Sequence, residues 1–316
     1  MAKEKSIKEI EDLPGIGPAT AEKLKAAGYT DLDKVAVASP YELSEAIGIS
    51  ADSAKKAIEA AKQATTLEFE TGESVLEKRE AIGKISTGSK GFDELLGGGV
   101  ETNAITEAYG RFASGKTQVG FQLAVNVQLD HGKGGLDGGT LFIDTEGTFR
   151  PERIEAIAKS AGLDPKKVLE NIFVVRATTT DQQVIAIERA DKLIKEKNIK
   201  LIIVDSISSL FRAEFLGRGG LAERQQKLNG HIHKLQRLAD THAVAVYITN
   251  QVIDNPGILF GDPTTPVGGN IIAHAATTRL YMRKSKEDKR IVRLVDSPNM
   301  PEGEAVIKIT PEGIKD

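Results

Sequence analysis

The sequence predicts an α/β chain: a mostly parallel, twisted sheet with helices on both faces and antiparallel strands at its C-terminal end, preceded by a small all-α domain. Three observations predict it. From Ile82 onward, short apolar runs alternate with longer amphipathic ones, the rhythm of parallel βαβ units. One junction carries a phosphate-loop pattern, Gly110-Arg-Phe-Ala-Ser-Gly115-Lys116-Thr117, between a strand and a helix. Upstream of about residue 65, Ala, Glu, Lys and Leu dominate and Gly-Pro punctuation interrupts them, as in short helices joined by tight turns.

The expected boundaries follow: a helical domain over residues 1–64, a linker over 65–80 and the core over 81–316. In the linker, Leu67-Glu68-Phe69-Glu70-Thr71 alternates apolar and polar residues, which predicts a short strand. Core strands are expected at Ala104–Tyr109, Thr140–Thr145, Ile172–Arg176, Lys200–Asp205 and Ala243–Asn250. Helices are expected at Gly115–Leu129, Pro151–Ser160, Asp181–Lys197 and Leu221–Asp240. After Gly268 three closely spaced strands follow, Arg279–Lys284, Arg290–Asp296 and Ala305–Thr310, and Gly132–Gly139 reads as a loop.

Composition narrows the class. Hydrophobic residues make up 40% and charged residues 28%, and cysteine is absent, which excludes disulfides and thiolate metal sites. Met1–Ile10 is charged and has no apolar stretch of the signal-peptide kind, and runs such as Leu201–Val204 are too short to span a bilayer. A soluble, cytoplasmic protein is expected. The net charge of -3 means that any nucleic-acid binding must rest on local patches.

The phosphate loop carries the chemistry. Backbone N–H groups from Gly110, Arg111, Phe112, Ala113, Ser114 and Gly115, with the opening of the following helix through Gln118, suit a phosphate cradle. Lys116 is placed to reach β/γ oxygens and the Thr117 hydroxyl to ligate Mg²⁺, which makes ATP and Mg²⁺ the expected ligands. Nothing in the pattern demands a left-handed backbone at Ala113, so an ordinary conformation is expected there. Leu201-Ile-Ile-Val-Asp205 ends an apolar strand in an acid suited to holding Mg²⁺ through water, or simply to capping a turn. Glu146, at the end of another strand, suits a general base for the attacking water, or a helix cap. Gln251, beyond Thr249-Asn250, suits a γ-phosphate sensor, or a strand-end amide bonded to backbone.

Two segments following core strands are expected to be mobile loops. The first, about Phe211–Leu221, opens a stretch to Leu238 with six cations (Arg212, Arg218, Arg224, Lys227, Lys234, Arg237) against Glu214 and Glu223. A local +4 in an acidic chain suits phosphate contacts, or a solvated helix face. The second loop, about Val252–Asn270, is rich in Gly and Pro. In the front domain, Leu13-Pro-Gly15-Ile-Gly17-Pro resembles the turn of a helix-hairpin-helix, which grips a DNA phosphate through helix N–H groups. With nine Lys against eleven acids over Met1–Thr66, such a domain would bind duplex through backbone geometry, and a protein-docking role stays open.

Phe142-Ile-Asp-Thr-Glu-Gly-Thr-Phe-Arg-Pro-Glu-Arg153, Leu221-Ala-Glu-Arg-Gln-Gln-Lys-Leu228, Val267-Gly-Gly-Asn-Ile-Ile-Ala-His274 and Asp296-Ser-Pro stand in order along the chain. Together they resemble the RecA/RadA family of strand-exchange recombinases, archaeal and eukaryotic, over nearly the whole length. The resemblance implies a RecA-type P-loop ATPase core with a helix-hairpin-helix domain in front. It implies an ATP-hydrolysing filament or ring that binds single- and double-stranded DNA, exchanges strands and works with mediator proteins. It assigns catalysis to Glu146, γ-phosphate sensing to Gln251 and adenine stacking to Arg153. It also assigns capping of a neighbour's ATP to Pro301, a monovalent-cation (K⁺) site near Asp296 and His274, and single-strand contacts to Gly268 and Gly269. Phe69-Glu-Thr-Gly72 resembles the family's Phe-x-x-Ala polymerisation motif, with Gly72 where alanine is usual. Arg111 and Ala113 depart from the acid and glycine usual in archaeal phosphate loops. A regulatory paralogue, a hexameric helicase and a non-catalytic DNA-coating protein are the competing readings.

Overall fold

The computed structural model describes residues 7–65, 69–215, 217, 219–254 and 264–316. The chain divides into two compact units, Met1–Lys78 and Arg79–Asp316. The front unit contains helices α1 (Pro18–Ala26), α2 (Leu32–Ala36), α3 (Pro40–Ile47) and α4 (Ala51–Ala64). Their starts follow from capping chemistry. Asp31, Ser39 and Ser50 each accept a backbone N–H of the first turn, and Pro18 and Pro40 open their helices where an N–H is not needed. Leu13, Ile16, Leu24, Val35, Leu43 and Ile58 form a small core.

Of the linker strand expected around Phe69, the described residues Phe69–Thr71 form none. Leu67 and Glu68 lie outside the described residues; Phe69–Thr71 has no regular structure and is followed by α5 (Gly72–Glu80), whose first turn is held by Ser74 N–H donating to Thr71 Oγ1 at 3.2 Å. The physical reason is that a strand needs a hydrogen-bonding partner, and among the described residues this segment pairs with none. Phe69 is 97% exposed.

In the second unit, β1 (Lys84–Ile85) and β2 (Val100–Glu101) form a short antiparallel ribbon around α6 (Lys90–Leu95). Next come β3 (Ala104–Tyr109), α7 (Lys116–Asn126), β4 (Gly139–Asp144), α8 (Pro151–Ser160), α9 (Pro165–Glu170) and β5 (Ile172–Arg176). They are followed by α10 (Thr180–Glu188), α11 (Ala190–Glu196), β6 (Ile199–Asp205), α12 (Ser209–Glu214), α13 (Leu221–His242) and β7 (Ala245–Asn250). The small hairpin β8 (Val252–Asp254) and β9 (Thr264–Pro266) precedes α14 (Asn270–Ala275). The chain closes with β10 (Thr278–Lys284), β11 (Lys289–Asp296), β12 (Gly303–Thr310) and β13 (Gly313–Lys315).

The nine-stranded sheet runs β13-β12-β11-β10-β3-β7-β6-β4-β5. Pairs from β10 through β5 are parallel and those from β10 to β13 antiparallel. Alternation along the strands feeds two cores. Phe142 and Ile203 join Phe121 and Leu123 of α7 on one face; Ile143, Ile202 and Val204 join Leu235 and Leu238 of α13 on the other. The carboxyl ends of β3, β4, β6 and β7 therefore meet along one edge, where ligands bind in open α/β sheets.

Two expectations are corrected. Asp181–Lys197 is two helices, broken at Arg189. Phe211 opens no loop: it lies in α12, is buried, and packs on the His231 ring 5.9 Å away. An apolar residue facing a neighbouring helix is drawn into the core even in a glycine-flanked, basic segment.

Asp191 of α11 ties α13 in place, accepting from Lys234 Nζ at 3.2 Å and pairing with His242 Nε2 at 2.8 Å. Burial pushes its carboxyl up, but the bond from His242 and the charge of Lys234 outweigh this and hold it below the usual carboxylate range. A depressed folded-state pKa contributes stability above the unfolded value, and that contribution is lost as pH falls through the folded one. Asp191→Asn is therefore expected to lower stability at neutral pH by roughly 1 kcal/mol or less, given solvent screening. Denaturant titrations of both proteins should converge below about pH 4.

Candidate nucleotide-binding site

Gly110 follows β3 where the chain passes tightly over β10: a Cβ there would stand 2.1 Å from the Met282 carbonyl oxygen, so only glycine fits. The loop then turns into α7, with Gly115 as its N-cap. Ala113 sits at φ 61°, in the left-handed region, contrary to the expectation of an ordinary conformation. The loop's curvature fixes that geometry, and Arg290 Nε donates to the Ala113 carbonyl at 3.1 Å.

Lys116 curls back over the loop, donating to the carbonyls of Gly110 (2.8 Å) and Arg111 (3.1 Å) and to Ser114 Oγ (3.3 Å). Burial pulls its pKa down, against the opposing charges of Asp205 and Glu146. Among the described residues no carboxylate pairs with it. A partly desolvated ammonium held by carbonyls, beside the N-terminus of α7, is an anion site by its chemistry. It opens on a cleft of ≈ 850 Å³ that is also lined by Glu146, Arg153, Asp205 and Gln251.

Asp205 closes β6 and is buried. Three hydroxyls donate to it: Thr117 Oγ1 at 2.8 Å, Thr148 Oγ1 at 3.2 Å, and Thr249 Oγ1. Burial raises its pKa; the bonds from Thr249 and Thr117 oppose that, while the charge of Glu146 adds to it. A buried carboxylate joined to the Thr117 hydroxyl beside an anion cradle suits a hydrated divalent cation. The peptide between Asp205 and Ser206 is cis.

Asp144 shapes the turn that presents Glu146. Its carboxylate accepts the N–H groups of Glu146, Gly147, Thr148 and Phe149, at 3.2, 2.7, 3.1 and 3.2 Å. Glu146 Oε1 then accepts from Ser206 Oγ (2.9 Å) and from Gln251 Nε2 (2.7 Å). Arg153 is clamped by its edge: Nε donates to Gln118 Oε1 at 2.7 Å, and the terminal nitrogens donate to the carbonyls of Thr310 (2.7 Å) and Pro311.

The fold thus brings Lys116, Thr117, Glu146, Arg153, Asp205 and Gln251 to one cleft. Arg111 lies on the same loop, and Phe112 is 98% exposed there. Asp296 and Pro301 are exposed and not brought to it. Arg290, at one end of β11, touches the loop; Asp296, six residues on, is about 20 Å away along an extended strand. His274 is exposed on α14. Among the described residues, no three or more His, Cys, Asp or Glu side chains are arranged to hold a metal.

Arg212 is exposed on α12, and Arg224 is half-buried in the first turn of α13. Arg218 lies outside the described residues. The local +4 is reduced by partners from other helices: Lys227 pairs with Asp181 at 2.5 Å and Lys234 with Asp191 at 3.2 Å. Gly268 has φ 90°, and a Cβ there would meet Ile272 at 2.6 Å; Gly269 follows at φ 57°. In the front unit, Gly15 (φ 77°) makes the turn and Gly17 is the N-cap of α1. Sequence reasoning missed Ser206, Thr148, Thr249, Tyr247 and Arg290. Tyr247 Oη donates to the Lys116 carbonyl at 3.0 Å. Strand parity would have turned Tyr247 toward α7; Thr148 and Thr249 stand in quoted motifs that give them no role, and no motif marks Ser206 or Arg290.

A Rad51 family model matches residues 78–316, and a SAM-like helix-hairpin-helix tandem model matches residues 7–63. The chain belongs to the Rad51 family. It is 52% identical over 312 residues to the "DNA repair and recombination protein RadA" of Aeropyrum pernix, an alignment that covers 99% of this chain and 98% of that protein. Membership of the Rad51 family accounts for the α/β core behind a helix-hairpin-helix domain.

Because Ala113 is left-handed, Ala113→Gly should relieve backbone strain. Stability is expected to rise by about 1 kcal/mol, read as a higher denaturation midpoint with an unchanged slope.

Proposed function

We propose that this protein is an ATP-dependent DNA recombinase that coats single-stranded DNA as a helical filament and catalyses homologous pairing and strand exchange in DNA repair and recombination. One observation carries the reading: the Glu146 carboxylate is bonded to Gln251, whose own backbone carbonyl accepts the N–H of Val267, beside Gly268 and Gly269. A change at the γ-phosphate then has a short covalent and hydrogen-bonded path to the glycines assigned to DNA, which suits a two-state coupling of ATP to DNA affinity.

In this reading Glu146 takes a proton from the water attacking the γ-phosphorus, the bond to the β-phosphate oxygen breaks, and ADP and phosphate leave. Lys116 and the loop N–H groups hold the phosphates, and Gln251 senses the terminal one. Mg²⁺ would be held by Thr117 and, through water, by Asp205, and supplies charge neutralisation on the β and γ oxygens. The guanidinium of Arg153 has all its bonds in its own plane, which suits stacking against adenine. Arg212, Arg218 and Arg224 neutralise phosphates of the bound strand, and Gly15 and Gly17 present α1 to duplex backbone.

Two features support head-to-tail assembly. Phe69 is almost fully exposed, and β5 is the terminal strand of the sheet, paired among the described residues with β4 alone. An added strand from a second copy, anchored by Phe69 and turning at Gly72, would cover that edge. Pro301 and Asp296, remote from this chain's own phosphate loop, would cap the neighbour's ATP, with K⁺ bound across that interface. Mediator proteins and a cytoplasmic location on DNA complete the reading; no described helix is long and apolar enough to cross a membrane.

The decisive experiment is a joint-molecule assay with a homologous and a scrambled oligonucleotide, in ATP and Mg²⁺, beside Lys116→Ala. Joint molecules that require homology and vanish in the variant are expected; DNA-stimulated hydrolysis without joint molecules would reject the recombinase reading. Glu146→Gln should keep nucleotide binding and lose hydrolysis by about 10²–10⁴-fold, measured as phosphate release. Phe69→Ala should give monomers by light scattering, whereas persistent large oligomers would remove the edge-addition model.

A further inference from the structure

Asn250, the last residue of β7, is fully buried, and its amide is the meeting point of three segments. Nδ2 donates to Glu107 Oε1 at 2.8 Å and to the Val267 carbonyl at 2.7 Å; Oδ1 accepts from Ser208 Oγ at 2.6 Å. The orientation is forced, because a carboxylate and a carbonyl only accept and so draw both amide protons. Glu107 is itself fixed by Arg279 Nε at 2.8 Å, and that guanidinium lies 5.2 Å from the Tyr109 ring. The far side of the junction is therefore rigid.

The other two partners are the stems of the segments assigned to DNA. Val267 immediately precedes Gly268 and Gly269. Ser208 is the N-cap of α12, which carries Arg212. A serine at an N-cap ordinarily accepts a first-turn N–H. Here α12 has no side-chain cap bond, and the Ser208 hydroxyl is turned to Asn250 instead. A serine serving its own helix would not face that way. The residue after Asn250 is Gln251, whose amide holds Glu146.

We propose that Asn250 is a positioning residue that locks the stems of both DNA-binding segments together beside the γ-phosphate sensor, so that a strand on the first segment is registered at Gln251 through the Ser208–Asn250 bond. This rests on the recombinase reading. It assigns the coupling of DNA to hydrolysis to the first segment as well as the second. Neither Asn250 nor Ser208 lines the cleft.

The test is steady-state ATP hydrolysis by the full-length protein with and without a single-stranded oligothymidylate, for wild type, Ser208→Ala, Asn250→Ala and the double variant. Ser208→Ala should keep the KM for ATP and the DNA-free rate and lose about fivefold in DNA-stimulated kcat, the scale of one buried hydrogen bond. Asn250→Ala should lose at least as much, and the double variant should match it, since the one bond that Ser208→Ala removes is among the three already lost in Asn250→Ala. Full stimulation in Ser208→Ala would overturn the proposal, as would a proportional fall in its DNA-free and DNA-stimulated rates, the mark of a general structural defect. If Asn250→Ala does not fold, Ser208→Ala decides alone. A wild type with no DNA stimulation would instead reject the recombinase reading on which the proposal stands.

Discussion

The Asp205 carboxylate is the constraint around which the cleft is arranged. It is buried, and a buried carboxylate must be hydrogen-bonded or neutralised. Its hydroxyl partners come from three elements: Thr117 from the first turn of α7, Thr148 from the turn after β4, and Thr249 from β7. Satisfying one acid therefore sets the positions of the phosphate loop, the Glu146 turn and the approach to Gln251. The threonines also explain how a negative charge can wait at the end of an apolar strand before any cation is bound.

Lys116 is the counterpart. Burial works against its charge just as it works against that of Asp205, and the two acids nearby oppose that effect. Both groups are held by neutral dipoles rather than by each other. Such an arrangement leaves each charge available to a ligand, which a closed salt bridge would not. The Glu146–Gln251 bond has the same character: a neutral amide holds the carboxylate in position without neutralising it.

Much of this was legible in the sequence. The strand and helix rhythm located the eight principal strands, because runs such as Leu201–Val204 are buried on both faces and apolar throughout. The phosphate loop, Glu146, Asp205 and Gln251 were legible because each ends a strand at the same sheet edge. What escaped prediction is set by tertiary contact. Phe211 sits in a stretch whose glycines and arginines read as a loop, yet its burial against His231 makes it core. Ala113 takes φ 61° because of loop curvature that no local pattern encodes. The Phe69 segment has the alternation of a strand, but pairing needs a partner strand, and among the described residues none pairs with it. Ser206 bonds Glu146 and Thr249 bonds Asp205 across the sheet, and only the strand order brings these pairs together.

The pairing of Lys227 with Asp181 and of Lys234 with Asp191 has a consequence for how binding would respond to ionic strength. Affinity for a single strand falls with salt in proportion to the number of phosphates whose counterions are released, with a slope of about −0.7 per contact. Two of the six cations over Phe211–Leu238 are already paired within the protein and would release fewer counterions on binding a strand. Taking two contacts out of six would lower the size of the slope for this segment from about −4 to about −3. On the recombinase reading, the acids of α10 and α11 would thus make a grip by α12 and α13 less dependent on the salt around it.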